Sequence, residues 1–406
     1  MTLTTDQGLT DEQRVDALID ELLSKHDPAT TDLKEVWGAQ FDLGLAWVHF
    51  PVGRGGLGLE AKLQEQIDER LLDAGVPSNM LINMIGVGMA SPTILAHGTE
   101  AQCDRYLRPA FACEEIWCQL FSEPGAGSDL AGLATRAERD GDEWVVNGQK
   151  VWTTMAHMAR WGLLLARTDP EQPKHKGLSY FIIDMHAPGV DVRPLRQMTG
   201  DAEFNEIFFT DARIPDTNRL GDVGEGWRVA LSTLMNERVT VGSLAKERPG
   251  HGDIEHAVRA WHNYGGGDPV RRDQLAQLWV EAEVLRLTNF RAQEMRKRGS
   301  PGPEGTILKL GVAELNQRIF EFTIAMMGPE GALISDYEMR RPESIGAGNF
   351  SGGQLDIVKM WLASVGTTIG GGTGNIARNI IAERILGLPG EPRTDNTLPW
   401  SQVPRS

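Results

Sequence analysis

Apolar residues recur at helical spacing through the first quarter of the chain. Arg14-Val-Asp-Ala-Leu-Ile-Asp-Glu-Leu-Leu23 and Leu63-Gln-Glu-Gln-Ile-Asp-Glu-Arg-Leu-Leu72 place aliphatic side chains three or four apart. That spacing predicts helices with one face turned to a core. A Gly- and Pro-containing joint, Pro51-Val-Gly-Arg-Gly-Gly-Leu-Gly58, interrupts them, and a second helical group follows from Asn79 to about Arg108. From about Trp117 to Asn218 the pattern shortens to that of an antiparallel sheet. Glu143-Trp-Val-Val146, Asn147-Gly148 and Gln149-Lys-Val-Trp-Thr153 read as a hairpin, because Asn-Gly supplies the positive φ angles of a tight turn. Trp161 to Arg167, Ser179 to Asp184 and Glu206 to Phe209 are further predicted strands.

After Gly221-Asp-Val-Gly-Glu-Gly-Trp227 the helical period returns and lasts to about Leu386. Helices are predicted over Trp227 to about Leu244, Gln274 to Arg298, Gly305 to Met327 and Leu355 to Val365. A polar, Gly-rich stretch from Arg248 to Asp268 holds a shorter one at Ile254 to His262. The order is helices, sheet, helices, with no internal repeat. Apolar runs such as Gly162-Leu-Leu-Leu-Ala166 are too short to span a bilayer, so no membrane insertion is expected.

Composition narrows the reading. With 41% hydrophobic and 24% charged residues the chain has the balance of a soluble globular protein. The formal charge of -16, from 40 basic and 56 acidic residues, argues against nonspecific nucleic-acid binding. Met1 to Thr10 contain no basic region followed by an apolar stretch, so no secretory signal is expected. Cys103, Cys113 and Cys118 are odd in number, which fits buried thiols in a reducing cytoplasm. No Cys/His spacing suggests zinc.

Four segments could carry chemistry. Glu237 and Arg238 sit side by side in the largely apolar Trp227 to Val239, where a buried carboxylate must be paired or used. Phe121-Ser-Glu-Pro-Gly-Ala-Gly-Ser-Asp129 is a tight loop of small residues that exposes amides and hydroxyls to a phosphate or a flat heteroaromatic edge. It has neither the Rossmann spacing nor a Walker ending. Trp152-Thr153-Thr154 follows, with Trp152 and Thr154 expected on one face and Thr153 on the other. Thr367-Thr-Ile-Gly-Gly-Gly-Thr-Gly-Asn-Ile376 runs into a predicted helix start near Asn375, a seat for an anion or pyrophosphate. Each also has a structural reading: an ion pair, a turn, a core tryptophan, a capped helix. Met84, Met89 and Met235 fit either an adaptable pocket wall or a packed core.

Taken together, these segments resemble the acyl-CoA dehydrogenase family of flavoproteins along nearly the whole chain. The landmarks are Gly55-Gly-Leu-Gly58, Phe121 to Asp129, Val146-Asn-Gly-Gln-Lys-Val-Trp-Thr-Thr154, Gly224-Glu-Gly-Trp-Arg228, Gly372-Thr-Gly-Asn-Ile376 and Arg384-Ile-Leu-Gly-Leu-Pro389. The resemblance implies an α+β fold: an N-terminal helical domain (1–117), a middle antiparallel β-barrel-like domain (118–220) and a C-terminal four-helix bundle (221–406). It implies FAD, with Phe121, Ser122 and the adjacent backbone meeting the flavin ring and Gly127 and Ser128 at the pyrophosphate. Trp152 would pack on the isoalloxazine, Thr154 would bond near its reactive nitrogen, and Thr373 and Asn375 would hold the adenine-side half.

Two departures from the family pattern stand out. The residue before Gly372-Thr373, where many members carry the catalytic glutamate, is Gly371. A minority draws its base from the first helix of the C-terminal domain, directly before an arginine, and Glu237-Arg238 matches that arrangement. The implied reaction is α,β-dehydrogenation of an acyl-CoA thioester to the 2-enoyl-CoA. Glu237 removes the α proton, the β hydride goes to flavin N5, Arg238 supports the thioester end, and the Gly371 backbone N–H polarises the carbonyl. Electrons would pass to an electron-transferring flavoprotein.

The second departure concerns the segment that normally reaches a neighbouring subunit's FAD. Only Arg271 and Arg272 stand in for it, with Gly328-Pro-Glu-Gly331 beside the neighbour's adenine. A homotetramer or homodimer is implied, and a heteromer with a paralogue is compatible. An acyl-CoA oxidase or flavin monooxygenase on the same fold, and a non-catalytic partner subunit, are the alternatives. The acyl group stays open.

Overall fold

The structure, a computed structural model, describes residues 9–243, 249–298, 302–344, 350–351, 354–390, 392, 395 and 397–404. Within these, the side chains of residues 237–243, 296–297, 350–351 and 354–355 are not described.

The first block is helical: α1 (Asp11–Lys25), α2 (Leu33–Asp42), α3 (Leu63–Asp73), α4 (Met80–Ile85), α5 (Ser91–His97) and α6 (Glu100–Phe111). The starts of α1 and α6 are set by the same local device. Thr10 and Thr99 accept from the backbone of Gln13 and Gln102, whose side chains donate nothing back but accept from the two threonine N–H groups. Gln102 also donates to the carbonyls of Thr217 and Arg219 (2.8 and 3.0 Å), tying α6 to the far end of the sheet.

A π-helical turn, Gly86–Ala90, joins α4 to α5. Met80 to His97 is the one described segment whose length and composition would suit a membrane span, and half of it is buried. Ile85, Val87, Met89, Ala90 and Ile94 belong to the core of this block. Of the three methionines, Met89 is therefore a core residue, whereas Met235 is largely exposed.

The sheet comprises β1 (Trp117–Leu120), β2 (Arg136–Asp140), β3 (Glu143–Thr154), β4 (Trp161–Arg167), β5 (Leu178–Asp184), β6 (Val190–Pro194), β7 (Phe204–Pro215) and β8 (Arg219–Leu220). Its order is β6-β7-β3-β2-β4-β5-β8, with β1 also on β4. This corrects the expected antiparallel barrel. The sheet is open, ending at β6 and the two-residue β8, and it is mixed, because β1 and β2 both run parallel to β4.

The expected hairpin at Asn147-Gly148 is also corrected. Chain direction does not reverse there, and β3 runs unbroken across it. The register against β7 shifts between Val146 and Gly148, making a bulge rather than a turn. Asn147 exchanges hydrogen bonds with Asp211 across it (2.9 and 3.0 Å), and Asp211 takes the positive φ. The tight turn lies earlier, at Gly141, between β2 and β3.

β4 is buried on both faces, which explains its continuous apolar run. Trp161, Leu163 and Leu165 enter a core shared with the first helical block, while Leu164 and Ala166 enter a second core formed by residues of the sheet and the segment after β3. Helices resume with α7 (Gly226–Ser243), α8 (Ile254–Tyr264), α9 (Pro269–Lys297), α10 (Glu304–Met327), α11 (Ile357–Thr367) and α12 (Gly374–Ile380). All five other helices of this group touch α10. Leu315, Ile319, Phe322 and Met326 of α10 pack with Ile254, Ala257, Leu275 and Leu278 of α8 and α9. The three cysteines are buried free thiols, and burial pushes the Cys113 thiol up to about 12.

Candidate functional site

The loop after β1 owes its position to β4. β1 pairs with Trp161 to Leu164, and β2 begins opposite Arg167 on the same strand. The intervening chain, residues 121–135, therefore stands out from the sheet between two fixed feet. Glu123 closes its base: Oε2 accepts from the Ala134 N–H (2.6 Å), and Oε1 accepts from the Thr135 N–H (2.9 Å) and from Lys150 Nζ (2.8 Å). Lys150, wholly buried in β3, also donates to the Phe121 carbonyl (2.9 Å). Burial pushes the Glu123 carboxyl up, but Lys150 and the two amides outweigh it and hold the group below its usual range.

At the tip, Gly127, Ser128 and Asp129 are exposed. A Cβ built on Gly125 or Gly127 would meet nothing within 4 Å. Phe121 is buried edge-on to Tyr180, 5.8 Å between ring centres, so it supports the loop from beneath. Ser122 is half-buried, and its carbonyl accepts from the Val151 N–H (2.9 Å). That bond lays the loop alongside the next candidate, Trp152.

Trp152 has φ +60° within β3, where the register against β7 shifts again between Lys150 and Thr153. A left-handed conformation costs a bulky residue about 1–2 kcal/mol. The side chain is 61% exposed and touches Phe204 only edge-on, at 6.0 Å, so core packing does not repay the strain. Thr153 is buried and Thr154 half-buried, which keeps Trp152 and Thr154 on the accessible side as expected. The core-tryptophan reading fails here.

The glycine run builds a separate seat against α10. Gly371 and Gly372 take φ +67° and +95°, and Thr373 caps α12 by accepting from the Ile376 N–H at 3.2 Å. Among the described residues, the N–H groups of Gly371 and Gly372 meet no acceptor. Thr373, Gly374 and exposed Asn375 line an open cavity of about 250 Å³ together with Lys309, Glu314 and Arg378. Arg378 is ion-paired to Glu314, and Lys309 donates to the Thr367 carbonyl (2.8 Å).

Glu237 and Arg238 have their backbone in α7, and their side chains lie outside the described residues. The preceding turn of α7 is firmly placed. Thr233 lies 2.9 Å from the Tyr180 hydroxyl and 3.1 Å from Thr93 Oγ1, all three buried. Arg271 on α9 donates to Met326 Sδ (3.5 Å), next to Gly328 to Gly331, while Tyr264 bonds Glu330 (3.1 Å). The two altered segments are thus neighbours.

Sequence reasoning missed the supports. Glu123 lies in the Phe121 to Asp129 loop and Lys150 in the Val146 to Thr154 stretch, and the inward alternation of Lys150 was the available signal. Tyr180, Thr93 and Thr233 come from three distant stretches and carry no local signal.

The comparisons agree with this architecture. Models of the acyl-CoA dehydrogenase N-terminal, middle and C-terminal domains match residues 12–114, 118–212 and 224–386. The chain is 38% identical over 351 residues to acyl-CoA dehydrogenase IpdE1 of Mycobacterium tuberculosis, covering 86% of each. It is 39% identical over 352 residues to acyl-CoA dehydrogenase FadE34 of the same organism, covering 86% of this chain but only 45% of that longer protein. The ChsE4-ChsE5 complex from Mycobacterium tuberculosis superposes with a TM-score of 0.69 at 28% identity, covering 96% of this chain and all of that one.

The chain belongs to the acyl-CoA dehydrogenase family. Its reaction is of the family's general dehydrogenation type, and its cofactor is FAD. The residues present suit that cofactor: an uncrowded loop tip with an exposed serine, a strained exposed tryptophan one residue past the bond to the loop's start at Ser122, and two glycine amides that meet no acceptor among the described residues.

Proposed function

We propose that this protein removes the α and β hydrogens of an acyl-CoA thioester to give the 2-enoyl-CoA. The observation that carries the reading is Trp152, held exposed in a left-handed bulge and bonded through Val151 to the Ser122 loop. That geometry offers a ring face and a row of small donors to one flat, anionic ligand. Phe121 and Ser122 border the ring, Gly127 and Ser128 approach the pyrophosphate, Thr154 bonds the ring edge, and Thr373 and Asn375 take the adenine side. Bound FAD supplies the two-electron acceptor.

In this reading the chain's own residues handle the proton and the carbonyl. Glu237 takes the α proton. A site closed to water raises a carboxylate's basicity, and the Gly371 N–H stabilises the charge that develops on the thioester oxygen. Arg238 braces the thioester end. An electron-transferring flavoprotein is the proposed re-oxidant. Residues 1–117, 118–220 and 221–406 are the proposed domains.

The proposed assembly is an oligomer in which a second chain, identical or paralogous, completes the cofactor site. Val280, Val284 and Leu287 of α9 are all more than half exposed, as residues awaiting a cover would be. The ChsE4-ChsE5 relative is itself a complex.

The test is anaerobic flavin bleaching by a panel of acyl-CoAs, with wild type and Glu237→Gln. The variant should keep its flavin and bleach at least 100-fold more slowly, the lower range for losing a positioned base. Equal rates would remove Glu237 from the role. Rapid recolouring in air would instead favour an acyl-CoA oxidase.

A further inference from the structure

At the loop tip no side chain packs over Gly125 or Gly127, whereas Ala126 between them is buried and exchanges backbone bonds with Glu123 (3.0 and 3.1 Å); beyond Ala126 the exposed Gly127 and Ser128 depend on the far limb. Lys150 and Glu123 fix the base. The far limb is fastened by residues near the other end of the chain. Lys174, between β4 and β5, is nearly buried and places Nζ 3.0 Å from both Asp129 carboxylate oxygens. The same ammonium lies 2.5 Å from Asp395 Oδ2. Two carboxylates, one from the loop and one from near the far end of the chain, thus share a single cation.

Trp400 continues the contact. Its indole N–H donates to the Gly132 carbonyl (3.1 Å), three residues past Asp129, and its ring lies 4.3 Å from the Arg167 guanidinium. Arg167 is buried and donates to the carbonyls of Ala131, Leu133 and Lys174 (2.6, 3.1 and 3.2 Å). Backbone bonds from Trp400 to Gln172 and from Ser401 to Pro170, both 2.9 Å, hold the segment in place. One guanidinium therefore joins the loop limb, the β4–β5 connection and the indole above it.

We infer that Asp395 and the segment from Thr397 to Val403 form a strap that positions the cofactor loop, with Asp395 and Trp400 as positioning residues for FAD retention. The inference rests on the FAD site proposed above. The strap acts by restricting where Gly127 and Ser128 can stand.

The experiment uses the full chain with Asp395→Asn, Trp400→Phe and Trp400→Ala. FAD affinity of the deflavinated protein, hydrogen exchange of amides 126–133 and the melting temperature without flavin are all measured. Asp395→Asn and Trp400→Ala should weaken FAD binding about tenfold, equivalent to about 1.4 kcal/mol, and speed exchange in the limb while leaving the melting temperature unchanged. Trp400→Phe keeps the ring on Arg167 but loses the indole donor, and should fall between.

Unchanged affinity in Trp400→Ala overturns the strap, as does a melting temperature that falls in step with affinity across all three variants. If Trp400→Ala does not fold, Asp395→Asn at the rim decides by the same criteria. A wild-type chain that takes up no FAD, alone or with a paralogue, overturns the cofactor site and the strap together. Wild-type binding with unaltered variants overturns the strap alone.

Discussion

Replacing Lys150 by methionine isolates the ion pair beneath the cofactor loop. The substitution keeps an unbranched stem of similar length in a wholly buried position but removes the ammonium. Glu123 loses its partner at 2.8 Å, and the Phe121 carbonyl loses its donor at 2.9 Å. Only the Ala134 and Thr135 amides then hold the carboxylate. Removing one member of a buried pair costs about 3–5 kcal/mol, because the other charge stays behind without compensation.

The pH dependence should reverse sign. In the wild type the Glu123 carboxyl sits below its usual range, so the native state releases its proton more readily than the unfolded chain. Its contribution is complete above about pH 5 and is lost as pH falls through the depressed value. In Lys150→Met, burial acts with less opposition and the folded value should rise above the ordinary one of about 4.3. The neutral acid is then favoured, so the variant should be most stable at low pH and lose stability as pH rises through the raised value. Urea unfolding, followed by tryptophan fluorescence from about pH 4 to 7, reads both slopes. A loss under about 1 kcal/mol at pH 7, or parallel pH profiles, would refute the reasoning. Adding Glu123→Gln to Lys150→Met should restore much of the loss, since no buried charge then remains.

Other outcomes follow from single positions. Gly148→Ala should destabilise by about 1–3 kcal/mol in thermal or urea unfolding, because a Cβ there would lie 2.5 Å from Thr135 Oγ1 and 2.7 Å from Thr135 Cα. Tyr180→Phe should cost about 1 kcal/mol, whereas Thr233→Val, which leaves the Tyr180 hydroxyl buried without this partner, should cost about 1–3 kcal/mol in the same assay. Trp152→Asn should lower FAD affinity at least tenfold while the flavin-free chain stays as stable as wild type, since asparagine tolerates left-handed backbone. A drop in stability without loss of flavin would make Trp152 a structural residue.

Periodicity located most elements because their environments are one-sided or fully apolar. β4 occupies the predicted Trp161 to Arg167, and α10 starts one residue from the predicted Gly305. β2 and β6 escaped notice because Arg136-Ala-Glu-Arg-Asp140 and Val190-Asp-Val-Arg-Pro194 are largely solvent-facing and carry little apolar signal. Asn147-Gly148 was misleading for a physical reason: the conformations that make a tight turn also make a bulge, and only the partner strand distinguishes them. The cofactor loop and Trp152 were legible as motifs, but the strain that marks Trp152 resides in its backbone. Lys174, Asp395 and Trp400 were not legible, since they acquire meaning only after the chain has folded back on itself.

The buried hydroxyls of Thr93, Tyr180 and Thr233 come one each from the first helical block, the sheet and α7. The apolar cluster around them likewise draws on all three, from Val15 through Leu163 to Ala230. Family descriptions cut such chains into three modules, yet excising any one here would lay open the shared interior and strand polar oxygens inside it. A fragment ending before β1, or one beginning after α6, should therefore be aggregation-prone when produced alone. Recombining modules between relatives should succeed only where the exchanged pieces carry matching hydroxyls.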